Sequence, residues 1–364
     1  MTTAPSTIAG PLVDAHTHVY SGLAPLGMPT PAVAPRSFLD ILERIWWRLD
    51  RALDLDGLRA SARVGIADAI RSGTTCLIDH HESPRFIGGS LDVIADELQT
   101  AGLRGVVCYG ITARNEGEKE WRAGLIENER FLGNNRRPLV RSMVGLHACF
   151  TLPDEAISEA AAMARAFGVG IHVHVAEGEV DAGAVRRLEK LNALVPNSIY
   201  AHCVHTTPEE RKLLVDSGGW IVHNPRSNMG NRVGYARLSD VEGRVALGTD
   251  GWDADMFAEM KALAIKAGEE NDKVDLRRRF AAGRAIVDAL FGEPVCGVRG
   301  GDKVELDYEA PTPMIDDNMM GHLLSGAPRV KQVWVAGKKI QPDGIPVEAR
   351  RHAAKLWLRM QEVL

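Results

Sequence analysis

The 364-residue chain has no surplus of positive charge: 43 Lys and Arg stand against 48 Asp and Glu, a net charge of −5 with the signs mixed along its length. The basic footprint that a phosphate backbone requires is therefore missing, which argues against nucleic acid as a substrate. No apolar stretch approaches the ~18 residues of a membrane span. Met1 to Gly10 lacks the charged and apolar segments of a secretory leader. Cysteine is scarce, odd in number and widely spaced (Cys76, Cys108, Cys149, Cys203, Cys296), mostly within apolar runs. That pattern excludes a disulfide framework and reads as buried thiols in a reducing compartment. A soluble, cytoplasmic protein with no membrane partner is expected.

What is present is a 45% hydrophobic content, sufficient for a large core, and an alternation of short β-rich runs with longer helical patterns. The runs are Leu12–His16, Thr74–Asp79, Leu103–Tyr109, Val140–His147, Val169–His174, Ser198–His202, Trp220–His223 and Val245–Thr249. Eight such runs, most separated by room for a helix and a return loop, predict an α/β fold: a closed (β/α)₈ TIM-type barrel rather than an open sheet. Phe38 to Arg71 reads as an amphipathic helix pair broken near Asp54–Asp56, and Pro153 as the first-turn proline of a helix through Phe167. After about Gly300 the pattern changes to short strands at Lys303–Asp307, Gln332–Val335 and Lys338–Ile340, then a helix from Val347 to Leu364. The expected organisation is a barrel over 1–300, a small β appendage formed by the tail over 301–345, and a C-terminal helix over 346–364.

Barrel enzymes carry their reactive groups at the C-terminal ends of the strands. Here five strand ends are polar: Asp14-Ala15-His16-Thr17-His18, His172-Val173-His174 with Glu177 beyond it, His202-Cys203-Val204-His205, His223-Asn224, and Gly248-Thr249-Asp250. Two histidines at i and i+2 on one strand point the same way, so both imidazoles can reach one ion. One such pair is a weak signal. Its recurrence with further His and Asp at ends that converge on one axis is a strong one.

Together with His-Val-Ala-Glu at 174–177, Ala-His-Cys-Val-His at 201–205 and His-Asn-Pro-Arg-Ser-Asn at 223–228, these motifs resemble the amidohydrolase superfamily. Within it they are similar to the cytosine deaminase, chlorohydrolase and guanine deaminase branch. The segments Ile45 to Asp50, Ile78 to Pro84 and Ser227 to Asn231 resemble the aminohydrolases called SsnA. The resemblance implies one divalent metal, zinc or alternatively iron or manganese, held by His16, His18, His174 and Asp250. It makes Glu177 the proton shuttle, and His202 a partner of the attacking water or the developing oxyanion, with Asp250 aiming that water. Binuclear members bridge two ions through a lysine on the fourth strand, and Val140 to Phe150 contains none. The expected reaction is hydrolytic deamination of a small nitrogen heterocycle by metal-bound hydroxide, releasing ammonia. The same attack would also serve dechlorination, desulfuration or cyclic-amide opening, and a non-catalytic metal-binding barrel is a further alternative.

Substrate contacts are expected from His147, Arg226, Asn228 and Trp252, although Arg226 reads equally as a surface ion pair and Trp252 as loop packing. His172, one layer deeper on the same side of its strand, reads as a support or core residue, with a metal ligand as the alternative. His205 either opens the following helix or serves the site, and one of His80 and His81 either faces the pocket or solvent. His322 and His352 read as surface residues. Relatives carry several dozen residues before the first barrel strand that build half of a small β-sandwich, whereas only Met1 to Pro11 precede it here, and Gly300-Gly301-Asp302-Lys303 is a degraded form of the associated Gly-x-x-Ala-Asp element. Either the remaining strands form a reduced sheet or a partner chain covers their edges, and a homodimer is the expectation.

Overall fold

The computed structural model describes residues 7–296, 300–313, 315, 318–326, 328–342, 344 and 347–362. Its strands are β1 (Thr7–Ala9), β2 (Leu12–Thr17), β3 (Thr74–His81), β4 (Arg104–Ile111), β5 (Val140–Ser142), β6 (Val144–Ala148) and β7 (Ile171–Val175). They continue as β8 (Ile199–His202), β9 (Trp220–His223), β10 (Val245–Leu247), β11 (Lys303–Asp307), β12 (Arg329–Val335) and β13 (Lys338–Ile340). All eight expected runs are barrel strands, the fourth interrupted at Met143 into β5 and β6.

These strands pair in parallel in the order β2-β3-β4-β6-β7-β8-β9-β10, with β5 beside β4. Buried Val, Ile and Leu fill them because both faces are covered, by the barrel interior and by the outer helices. The ring is drawn together between its ends: Thr249 N and Asp250 N donate to His16 O at 3.0 and 2.9 Å, and His18 N donates to Asp250 O at 3.2 Å. Asp14 reinforces this seam by accepting from Thr249 N at 3.0 Å and its hydroxyl at 2.5 Å.

The helix Leu55–Arg71 starts where Asp54 accepts from Gly57 N at 2.8 Å, and it buries Leu58, Ala62, Ile66 and Ile70, one row at four-residue spacing. Asp154–Phe167 follows Pro153, which occupies the capping position just before the first turn. Thr207 and Glu210 form a reciprocal capping box that starts Pro208–Asp216 immediately after His205. Ile286 and Val287 of the helix Leu276–Phe291 join the core formed by Val13, Ala15, Val106 and Val222. Among the described residues no helix is long and apolar enough to cross a membrane, and all five cysteines are free thiols, four of them buried.

The small sheet is antiparallel, β1-β11-β12-β13. It is built by the tail, as expected, but Thr7–Ala9 also joins it, opposite Val304–Leu306. Asp302 ties this sheet to the barrel: Arg104 of β4 donates to it from Nε at 2.8 Å and Nη2 at 3.1 Å, while Ala336 N donates at 2.7 Å. Asp302→Ala would leave the Arg104 guanidinium buried and unpaired, so unfolding in urea is expected to show a loss of about 3–5 kcal/mol. An unchanged midpoint would refute that role. The expectation of a surface His322 is corrected: it is 9% exposed, enclosed by Tyr308, whose hydroxyl is 2.9 Å from Nδ1. His352 is half-buried, and the expected helix end at Leu364 lies outside the described residues.

Candidate active site

His16 and His18 project from the end of β2, His174 from β7, and Asp250 from just beyond β10. Their donor atoms lie within 4.8 Å of one another. Asp250 Oδ1 is 2.9 Å from His18 Nε2 and 3.3 Å from His16 Nε2, and His18 Nε2 is 3.2 Å from His174 Nε2. The other ring nitrogens are committed elsewhere. His18 Nδ1 donates to His80 O at 2.5 Å, and His174 Nδ1 donates to His147 O at 2.6 Å. His16 Nδ1 shares a proton with His172 Nε2 at 2.8 Å, which makes His172 a support one layer behind the ligands. Carbonyl oxygens can only accept, so the tautomers of His18 and His174 are fixed with Nε2 turned inward.

Converging imidazole lone pairs beside a carboxylate repel one another unless a proton or a cation lies among them. His16 Nε2 is buried with no hydrogen-bond partner among the described residues. Three nitrogens and one carboxylate oxygen are the donor set of a divalent transition metal with an open position, so the residues fit such an ion. Burial opposes charge on Asp250, but the imidazoles of His16 and His18 against it hold its carboxyl well below the usual range. The hydroxyl of Ser227 donates to its other oxygen, Oδ2. Asp250 and His202 both sit at positive φ, 57° and 72°, rare for residues with a side chain, so local backbone strain helps aim them into the site. At Gly248 a Cβ would lie 2.8 Å from His16 Cβ and 2.6 Å from Asn224 Oδ1; only glycine lets β10 approach β2 here.

Glu177 lies on the turn after β7, where Asp181 accepts from Ala176 N at 2.9 Å and Phe150 N at 3.0 Å. Its Oε1 accepts from Asn231 Nδ2 at 3.1 Å, and its Oε2 is 3.7 Å from His202 Nε2. Burial pushes the Glu177 carboxyl up to about 7, against the lowering influence of His202. His202 Nδ1 donates to Asn228 Oδ1 at 2.9 Å, leaving Nε2 buried and unpaired toward Glu177.

Above these groups a pocket holds about 590 Å³ of atom-free space, including its open mouth, walled by Phe38, Leu42, Trp46, Trp47 and Phe150. His147 lines it, as expected of a substrate contact. The structure does not bring the other three there. Arg226 pairs with Glu259 and, at 2.8 Å, with Asp253 Oδ1; Asn228 holds the His202 ring; Trp252 is 48% exposed beside Arg226. The ion-pair and packing alternatives describe Arg226 and Trp252 better, because their partners come from the segment that follows Asp250. His205 donates its backbone N–H to Ala176 O at 2.9 Å and stands before the capped helix. His80 and His81 are both fully buried rather than solvent-facing. Sequence reasoning gave no role to Glu82, Tyr20, Ser227, Asn231 or Asp181. Glu82 stands in Asp79-His80-His81-Glu82, which closes a barrel strand as the other polar motifs do.

A (β/α)₈ barrel with a His₃Asp donor set at the C-terminal ends of its strands is the architecture of a metal-site barrel. The chain belongs to the amidohydrolase family, whose model matches residues 8–284. It is 30% identical over 281 residues to a 5-methylthioadenosine/S-adenosylhomocysteine deaminase of Desulfitobacterium hafniense, covering 70% of this chain and 60% of that one. It therefore spans only about three-fifths of that relative's length. A 5'-deoxyadenosine deaminase of Methanopyrus kandleri is 28% identical over 93% of this chain and 82% of its own. Among solved structures, an adenosine deaminase from Xanthomonas campestris with bound zinc superposes with a TM-score of 0.83 at 21% identity, covering 98% of this chain and 87% of that one. At that identity the likeness describes the fold.

Proposed function

We propose that the protein is a hydrolase that deaminates a small nitrogen heterocycle with one divalent metal, zinc, held by His16, His18, His174 and Asp250. The convergence of three inward Nε2 atoms and Asp250 Oδ1 beside Glu177 carries this reading. The zinc-bearing structural neighbour and the deaminase names of the relatives support it. When bound, the cation acidifies a water from a pKa of ~15.7 to about 7, supplying the nucleophile near neutral pH.

The chain's own residues do the rest. Glu177 accepts the water's proton at its inward carboxylate oxygen and passes it to a ring nitrogen of the substrate. It later delivers a proton to the departing amine, so that water and an aminated carbon give a carbonyl and ammonia. His202, oriented by Asn228 through Nδ1, stabilises the oxygen that develops charge when its Nε2 also carries a proton, and the Ser227 hydroxyl keeps Asp250 in register. The aromatic walls exclude bulk water and hold a flat ring.

Ammonia release by metal-loaded protein from aminated pyrimidines, purines, pterins and triazines tests the reading. No release from any of them would end it, and chloride or thiol release instead would favour the related hydrolyses. Because Glu177 must start ionised, kcat/KM is expected to rise with pH through an inflection at or below about 7, a bound cation drawing that value down. A flat profile from pH 5 to 9 would contradict the shuttle. We also propose a cytoplasmic homodimer, on the evidence of the buried free thiols and the outer edges of β1 and β13. Sedimentation as a monomer would remove the second part.

A further inference from the structure

The three histidines of the donor set all turn Nε2 inward, but they are held there in two different ways. His18 and His174 lean on the main chain, their Nδ1 atoms donating to His80 O and His147 O. His16 leans on a side chain: its Nδ1 lies 2.8 Å from His172 Nε2, and the two rings meet edge-on at 70°. His172 is fully buried, and its other nitrogen, Nδ1, lies 3.7 Å from Cys108 Sγ of β4. The Cys108 thiol in turn reaches Asp79 O of β3 at 3.6 Å. Three side chains and one carbonyl thus form a chain that leads away from the site.

This chain runs down the barrel interior, where Cys108 packs with Ala15, Val106, Met143, Ile199 and Val222. In that apolar surrounding the His172 ring is uncharged, with one N–H and one bare nitrogen. Burial also pushes the Cys108 thiol up, so it keeps its proton. The direction of every bond then follows from the carbonyl at the far end, which only accepts. The thiol hydrogen goes to Asp79 O, so Sγ offers a lone pair to His172 Nδ1, and Nδ1 carries the ring's hydrogen. His172 Nε2 is therefore bare and takes the hydrogen of His16 Nδ1. His16 Nε2 is left bare in its turn, and that atom is buried in the site without a hydrogen-bond partner. Were the thiol to donate to His172 instead, every bond would reverse, and His16 Nε2 would present a hydrogen where the ion must bind.

We infer that Cys108 and His172 are positioning residues: anchored on Asp79 O, they fix His16 in the tautomer with a bare Nε2 and strengthen it as a metal ligand, without touching metal or substrate. This inference rests on the metal-site reading. An imidazole nitrogen accepts strongly, so it draws the hydrogen away from His16 Nδ1 and raises the basicity of Nε2. Among the three ligand histidines, His16 is the one whose donor strength is set by side chains, and so by substitution.

The wild-type protein supplies the first test. In nitrogen-15 spectra of histidine-labelled protein loaded with zinc, assigned by the signals that vanish in His172→Gln, His172 is expected to carry its hydrogen on Nδ1 with Nε2 bare. A hydrogen on Nε2 overturns the inference while leaving the metal site standing. Zinc affinity, measured by competition with a chromophoric chelator, supplies the second. His172→Leu suits the apolar barrel floor, yet affinity is expected to fall by about 10- to 100-fold, the usual cost of losing the outer partner of a ligand histidine. His172→Gln, whose amide oxygen replaces Nε2 as the acceptor, is expected to recover most of that loss, and Cys108→Ser to hold affinity better than Cys108→Ala. Equal losses with Leu and Gln would mean that the ring only fills space, and the relay would be refuted. Wild-type protein that binds no zinc overturns the metal-site reading, and this inference with it.

Discussion

Replacing Glu177 with Gln is expected to lower kcat by about 10²- to 10⁴-fold, the range for losing a positioned general acid–base group, with metal content unchanged. The substitution is close to isosteric, and Gln keeps an oxygen for the Asn231 amide that donates to Oε1 at 3.1 Å. What disappears is the ability to take a proton. Burial has already prepared the Glu177 carboxyl for exchange near neutrality by pushing it up to about 7, whereas the two aspartates beside it are committed elsewhere. Asp250 is held well below the usual range and committed to the histidines. Asp181 accepts two backbone N–H groups that shape the turn. Metal content by elemental analysis and single-turnover ammonia release together check the prediction. Wild-type turnover in the variant would remove Glu177 from the mechanism, and a wild-type protein without turnover would restore the alternative of a non-catalytic metal-binding barrel.

The gathering of polar groups was legible in the sequence because residues at i and i+2 on β2 share a face and the ends of parallel barrel strands converge. The choice of His16, His18, His174 and Asp250 among them rested on the amidohydrolase resemblance, and the structure brings those four donor atoms within 4.8 Å of one another. Residues beyond the strand ends were harder, because a loop's path sets the direction of a side chain. Arg226 shares its motif with Ser227, which donates to Asp250, yet Arg226 turns the other way toward Glu259 and Asp253. Those carboxylates are 33 and 27 positions further on, and no local pattern reveals the pairing. His80 and His81 illustrate the opposite error. An even choice between pocket and solvent neglected a third place, burial in and behind the barrel wall, where His80 braces His18 through its carbonyl. The strand Thr7–Ala9 escaped notice for a different reason: three residues carry almost no periodicity, and their partner strand begins almost 300 positions away.

Stripping the metal with a chelator is expected to abolish turnover and lower the thermal midpoint by about 5 °C. A ligand present at 1,000 times its Kd stabilises a fold by about 4 kcal/mol, and each kcal/mol shifts a chain of 364 residues by roughly 1–2 °C. The metal-free site should nevertheless remain folded, because a proton can partly replace the cation. Burial works against a charge on His18, but the hydrogen bond and negative charge of Asp250 outweigh it and lift the imidazole up to about 10. The metal-free protein is therefore expected to hold an imidazolium–carboxylate pair across the 2.9 Å between His18 Nε2 and Asp250 Oδ1. His18 Nδ1 is already committed to His80 O, so Nε2 carries either that proton or the metal, never both. Burial meanwhile drives His16 down to about 3, and His174 well below its ordinary value, so neither carries a competing proton. Below about 10 each bound metal displaces the His18 proton, and above about 7 the bound water adds its own, so apparent affinity tightens by tenfold or more per pH unit between pH 6 and 9. A pH indicator in weakly buffered protein should record at least one proton released per metal, and His18→Asn should release about one fewer and lose most of the affinity. Metal binding with no proton release at pH 7 would show that the pair between His18 and Asp250 does not exist in the metal-free protein.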